Sequence, residues 1–206
     1  AYLVDAGQQD VVAPIPRAPE AEHYPLSSAQ RRIWLHDRLD PGQAHYVIPL
    51  VLRLRGALDA EVLRAALERL VMRHEILRTV YVDVGGEPRQ RISSPMPFVL
   101  PLHDLSAEPA ITRERSLEAL VRKNAQQPFD LGHCPMLRAA LVQYADEDHV
   151  LLLALHHIAS DGTSAAVLLD ELDETFAALR DGREPAVPLG VLRYIDYACW
   201  EATGEA

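Results

Sequence analysis

The spacing of apolar residues changes period several times along this chain, and each change marks an element. In PLSSAQRRIWLHDRLDPG, Ser27 or Ser28 is placed to cap a helix, Ile33, Trp34 and Leu35 supply apolar contacts, and Pro41-Gly42 stops it. HYVIPLVLRLRG switches to alternation through Leu50, Leu52 and Leu54, with arginines entering the other face, which predicts a strand. LDAEVLRAALERLVMRHEILRT returns to helical spacing at Leu63, Ala66, Leu67, Leu70 and Val71, with Asp59 able to cap it. VYVDVGGEPRQRI reads as two strands around a Gly85-Gly86 turn. The Pro-rich SSPMPFVLP is expected to carry a short edge strand, and TRERSLEALVRKNAQQ a further helix ended by Pro128. PMLRAALVQYADEDHVLLLALHH predicts two strands joined by Asp146-Glu147-Asp148, of which the second is apolar on both faces. After Gly162 a last helix aligns Ala165, Leu168, Leu172, Phe176 and Leu179 on one face, with Gly182 just past its end.

Residues 1–22 have no period. AYLV is compatible with the tail of a preceding helix, and VVAPIPRAPEAEH reads as an extended inter-domain linker. Residues 23–206 are left as one folded unit. Its neighbouring strands pair as antiparallel hairpins between helices, so the expected class is α+β rather than a doubly wound parallel sheet.

Composition narrows the functions. A chain of 206 residues can bury a full core, with 49% hydrophobic and 24% charged residues as in ordinary globular proteins. The longest apolar run is far short of the roughly 20 residues of a membrane span, and AYLVDAGQQD lacks the basic start and apolar stretch of a signal peptide. A net charge of −10 argues against a nucleic-acid partner. Cys134 and Cys199 are far apart in sequence and outside any CxxC spacing, which fits a reducing cytoplasm better than a disulfide framework.

The chemistry concentrates in ALHHIASDG, residues 154–162. Successive strand side chains point to opposite faces, so His156 and His157 cannot serve one site together. One is expected to face the core or a neighbouring layer and the other a cleft. Asp161-Gly162-Thr163-Ser164 opens a helix, whose N-terminal N–H groups and positive potential discourage a nearby imidazole from protonating. Asp161 either caps that helix or holds an arginine or imidazole; Gly162 either makes the turn or admits a substrate backbone. Rival chemistries lack their motifs. Adjacent strand histidines diverge and no third ligand is spaced as in a zinc site, so no metal is expected. There is no G-x-S-x-G elbow, and VGGEP is a hairpin turn rather than a phosphate loop.

Several segments together resemble one family, the condensation domains of nonribosomal peptide synthetases, within the chloramphenicol-acetyltransferase-like superfamily. SSAQRRIW (core at 28–34) looks like its first motif and RHEILRT (73–79) its second. HHIASDG (156–162) matches the H-H-x-x-x-D-G active-site motif, and YIDYACW (194–200) resembles the fourth. PFDLGHCPMLRAAL (128–141) also has the family look, and the resemblance covers roughly residues 24–201. Retention of both histidines speaks against a heterocyclisation subtype. The forms of the first two motifs speak against epimerisation and look most like domains joining an L-configured donor to an L-configured acceptor. Thr163 stands where many relatives carry a larger residue.

The resemblance implies a chloramphenicol-acetyltransferase-like lobe, a mixed and largely antiparallel sheet packed with helices. It also implies an N-terminal lobe whose C-terminal partner lobe is absent from this chain and would complete a tunnel. The implied reaction is amide-bond formation between a donor thioester and an acceptor amine. Both ride on phosphopantetheine arms of upstream and downstream peptidyl carrier proteins, with no cofactor bound by the lobe itself, beside neighbouring synthetase domains. By resemblance His157 is the site ring, as general base or positioning group, and the Gly162 N–H a donor to the oxyanion. His156 and Asp161 are supports, with Arg73 or Arg78 as a charge partner; Gln30 and Trp34 are packing and polar support. Two other readings remain open: an isolated lobe serving folding and carrier docking, and another H-H-x-x-x-D-G acyltransferase.

Overall fold

In the computed structural model, which describes residues 15–186 and 192–204, the chain starts β1 (Tyr24–Pro25), α1 (Ser28–Leu39), β2 (Val47–Arg55) and α2 (Ala60–Arg73). A 3₁₀ turn (Glu75–Arg78) leads into the hairpin β3 (Thr79–Val84) and β4 (Glu87–Ile92), followed by β5 (Leu102–Asp104) and α3 (Ala110–Gln126). Then come β6 (Leu137–Ala145), β7 (Asp148–His156), α4 (Gly162–Arg180) and α5 (Tyr194–Ala202). The class is α+β, as the pattern predicts. The helix tail expected at AYLV lies outside the described residues.

A four-stranded sheet of order β2-β7-β6-β5 forms the centre, and a three-stranded sheet of order β1-β4-β3 sits beside it. Among the described residues only β5 and β6 pair in parallel. Because β7 is apolar at every position from Val150 to Leu155, both of its faces must be covered. Leu151, Leu153 and Leu155 join the core with Leu63, Leu67 and Leu70 of α2 and Leu168 and Leu172 of α4. Val150 and Leu152 face the other way, against Val142 and Leu105, and are covered by Leu117, Leu120 and Val121 of α3. In β2 the expected alternation holds, with Leu50, Leu52 and Leu54 turned to the first core.

The caps fall where the sequence places them. Ser27 caps α1 through a reciprocal box with Gln30, and the Asp59 carboxylate accepts from the N–H groups of Glu61 and Val62. The two sheets are tied by the loop before β6: the N–H of Tyr81 donates to Leu131 O (2.8 Å) and that of Met136 to Leu77 O (2.7 Å).

Two elements differ from the expectation. SSPMPFVLP contains no strand; Phe98 plugs the core, and the edge strand begins after it, at Leu102. Pro95, Pro97 and Pro101 have no N–H to donate, so a ladder can start only beyond the last of them, although Pro101 O still accepts from Leu141. The segment YIDYACW forms the helix α5, for which periodicity alone gave no signal.

Leu153 is fully buried at the middle of β7. Leu153→Ala should cost about 2–5 kcal/mol by transfer loss plus cavity, read as a lower denaturant midpoint at unchanged m-value.

Candidate active site

Where β7 ends, the strand alternation separates the two histidines. His156 is the last strand residue and is 3% exposed. Its Nδ1 accepts from the N–H of Ile158 (3.2 Å), while the rings of Phe129 and Tyr46 pack on it at 5.6 and 6.1 Å. Burial, and then the adjacent His157 and Arg138, lower its pKa from 6.5 to about 4, so the ring is neutral and acts as an acceptor. His157 is exposed. Its N–H is pinned to Tyr46 O (2.8 Å), across from it on the β2 side, and the Tyr46 ring stands edge-on at 6.5 Å. Among the described residues no side chain hydrogen-bonds the His157 ring. The backbone is fixed and the imidazole is left for a ligand.

His157 looks into an open groove of ≈ 1900 Å³, with Tyr46, Met72, Ile76, Met96 and Val167 among its lining. Polar groups gather at its ends and rim: Ser160, Asp161, Thr163 and Ser164 at the start of α4, His74 with Glu171 on the opposite wall, and charged side chains such as Arg17, Arg69 and Arg193. A groove with this apolar floor and polar margin suits a flexible arm carrying one reactive bond.

The start of α4 is built by its cap. Asp161 Oδ1 accepts from the N–H of Ser164 (2.7 Å) and from its hydroxyl (2.6 Å). These bonds, hydroxyl first, hold the carboxyl below its usual range. Gly162 is the first residue of α4, so its N–H has no intrahelical acceptor. A Cβ built on Gly162 would meet nothing within 4 Å, so the protein's own packing does not demand glycine here. Gly162 is exposed, and its neighbours Asp161 and Thr163 line the groove.

The proposed arginine partner of Asp161 is corrected. Arg73 pairs with Glu171 of α4 (3.1 Å) and donates to Ala186 O, while Arg78 donates to Ser93 O (2.6 Å) and reaches Glu75. Asp161 forms no ion pair among the described residues; Ser164 already satisfies the oxygen that caps the helix. Arg73 therefore braces α2 against α4, with His74 Nε2 sharing the same Glu171 oxygen at 2.6 Å. Gln30 and Trp34 do support the lobe. Gln30 is 1% exposed, bonding Ser27 N–H, Tyr81 Oη (3.1 Å) and Gln90 Oε1, and Trp34 packs with Tyr81, Met136 and Ile158. Among the described residues no three His, Cys, Asp or Glu side chains converge as metal ligands. Tyr46, which touches both histidines, escaped the sequence reading because its place depends on strand register.

Comparison with known proteins gives the family. The model of the condensation domain matches residues 20–206, and the chain belongs to that family. One of the linear gramicidin synthase proteins of Brevibacillus parabrevis is 40% identical over 188 residues, covering 91% of this chain and 2% of that protein. A variant of the starter condensation domain of rhizomide synthetase superposes with a TM-score of 0.81 at 28% identity, over 90% of this chain and 44% of that one. The X-domain solved in complex with OxyB from teicoplanin biosynthesis gives 0.82 at 32%, over 92% and 40%. The chain thus spans a small part of its curated relatives and less than half of these solved domains.

Two outcomes are expected. Asp161→Ala should lower stability by about 0.5–2 kcal/mol, as loss of an N-cap does, seen in the denaturant midpoint. For His156 the folded pKa lies below the ordinary value of 6.5, so the unfolded state binds more protons between the two. Stability should be full above pH 6.5 and fall by roughly 3 kcal/mol towards pH 4. His156→Asn, whose Oδ1 can still accept from Ile158, should flatten that slope in denaturation curves taken across the window.

Proposed function

We propose that this chain is the N-terminal lobe of a condensation domain that forms an amide bond within a nonribosomal peptide synthetase. The donor is an aminoacyl or peptidyl thioester and the acceptor an aminoacyl thioester with a free α-amine. Each is carried on the phosphopantetheine arm of a peptidyl carrier protein, upstream for the donor and downstream for the acceptor. The amine nitrogen attacks the thioester carbonyl, a tetrahedral oxyanion forms, and its collapse releases the donor carrier's thiol as the amine proton is lost. One observation carries the reading: of the two histidines, only His157 presents its ring to the groove, and it does so beside the open N-terminus of α4.

In this scheme His157 receives the amine proton or orients the amine, and the N–H of Gly162 faces the developing oxyanion, stabilised by the helix end. His156 and Asp161 hold the turn. A C-terminal lobe closes the groove into a tunnel, keeping water out and both arms in near-attack geometry. The two motif forms SSAQRRIW and RHEILRT support L-configured donor and acceptor, and the two free cysteines support a reducing, cytoplasmic setting beside the other synthetase domains.

A second reading, a docking lobe without catalysis, draws on the likeness to the X-domain, which was solved bound to another protein. The two separate on one measurement. In the intact synthetase, His157→Ala should lower condensation between loaded donor and acceptor carriers by at least about 10²-fold, with the thermal transition unchanged. Turnover within a few-fold of wild type would sink the catalytic reading and leave the docking one. The lobe by itself should unfold cooperatively yet give no peptidyl product above the uncatalysed background, since one wall cannot hold both arms.

A further inference from the structure

The buried acid of the fourth motif is not at the site. Asp196 is fully buried in the first turn of α5, and its carboxyl is held below the usual range: burial opposes this, but the Arg193 guanidinium and backbone donors prevail. A helix-opening box would need only one of those bonds, from the N–H of Arg193 to Oδ2 (3.0 Å). The others come from elsewhere. Arg193 Nη2 donates to Oδ1 (2.8 Å), the N–H of Ala18 donates to the same oxygen (2.9 Å), and Arg17 reaches Oδ2 at 3.4 Å. Arg193 Nη2 also donates to Ala18 O (3.2 Å). Both peptide groups flanking Ala18 are therefore held, and its methyl is buried with Tyr24 and Ile195. Two bonds on opposite sides of one residue fix direction as well as position.

We propose that Asp196 and Arg193 form a clamp for the chain's own N-terminal segment. The clamp sets where the segment leading from the upstream carrier enters the lobe. Arg193 lies 4.0 Å from Glu75, and Arg17, Arg193 and Tyr194 line the same groove as His157, so the segment is fastened at the rim of the site. Pro16 and Pro19 flank the clamped residue and stiffen it. The next fixed points along the chain are Ala21, whose N–H donates to Tyr24 Oη (3.0 Å), and then β1, where Tyr24 pairs with Gln90. Release of Ala18 would therefore free the tether back to Ala21, up to about 10 Å of added reach, and dilute the donor arm at the groove. This second step rests on the proposed condensation function; the clamp itself does not.

Ala18→Pro removes the N–H that Asp196 accepts without altering α5, and Asp196→Asn weakens the clamp from the other side. Both are made in the intact synthetase. Amide exchange at Ala21, whose N–H donates to Tyr24 Oη, should speed up by about tenfold in each, the equivalent of one charge-assisted bond, while the thermal transition of Ala18→Pro stays in place. Condensation from the donor carrier in its natural linkage should then fall about twofold to fivefold. The rate with a saturating donor carrier supplied as a separate protein should not change. Unchanged exchange in Ala18→Pro would overturn the clamp. Faster exchange with equal losses for linked and separate donors would overturn its role in delivery. Neither result depends on His157, so a failure of the catalytic reading would be seen separately.

Discussion

A strand that must be buried on both faces governs this structure. β7 carries no polar side chain from Val150 to Leu155, so it can only lie inside a sheet with a layer on each side. That requirement recruits α2 and α4 to one face and α3 to the other, and it leaves β2 and β6 as its two ladder partners. The position of the site follows. The ladder to β2 runs until Val47 meets His156, and the next residue leaves the sheet with its N–H still held by Tyr46. Alternation continues for one residue beyond the core, and that residue is His157.

The groove exists because polar contacts hold its walls apart and in register. Gln30 links α1 to β3 and β4 through Tyr81 and Gln90, in a setting where an unpaired amide would be costly. On the other wall Glu171 of α4 accepts from Arg73 and pairs with His74, joining the ends of α2 and α4 next to the cavity. These buried and half-buried groups find partners in one another, so they specify geometry at little net cost in stability. The apolar core decides that the lobe folds; the polar contacts decide which face stays open.

Legibility in the sequence tracks the range of the interaction. Caps and periods act over three or four residues, and Ser27, Asp59, Asp161 and the five buried positions of α2 appear where spacing puts them. The divergence of His156 and His157 is equally local, a consequence of strand geometry. What spacing does not supply is anything set by pairing between distant segments. Arg73 is available to Asp161 on sequence grounds, but the packing of α2 on α4 puts Glu171 beside it. Tyr46 and Asp196 carry ordinary local signals, and their importance arises from a register across β2 and β7 and from a contact spanning most of the chain. The displaced edge strand is a different kind of miss: β-like composition takes no account of the missing prolyl N–H groups.

The opening of α4 shows why two histidines in sequence are not redundant. A leucine at 156 would satisfy the core, but it would leave the N–H of Ile158 without its acceptor at a buried turn. The neutral imidazole fills an apolar pocket and accepts that bond, and burial keeps it from becoming a cation beside its neighbour. The turn so closed brings Asp161 into capping position and delivers the N-terminus of α4 to the groove. His157 thus meets the substrate space as a single ring, anchored through its backbone and flanked by the positive end of a helix. One histidine builds the corner, and the corner aims the other.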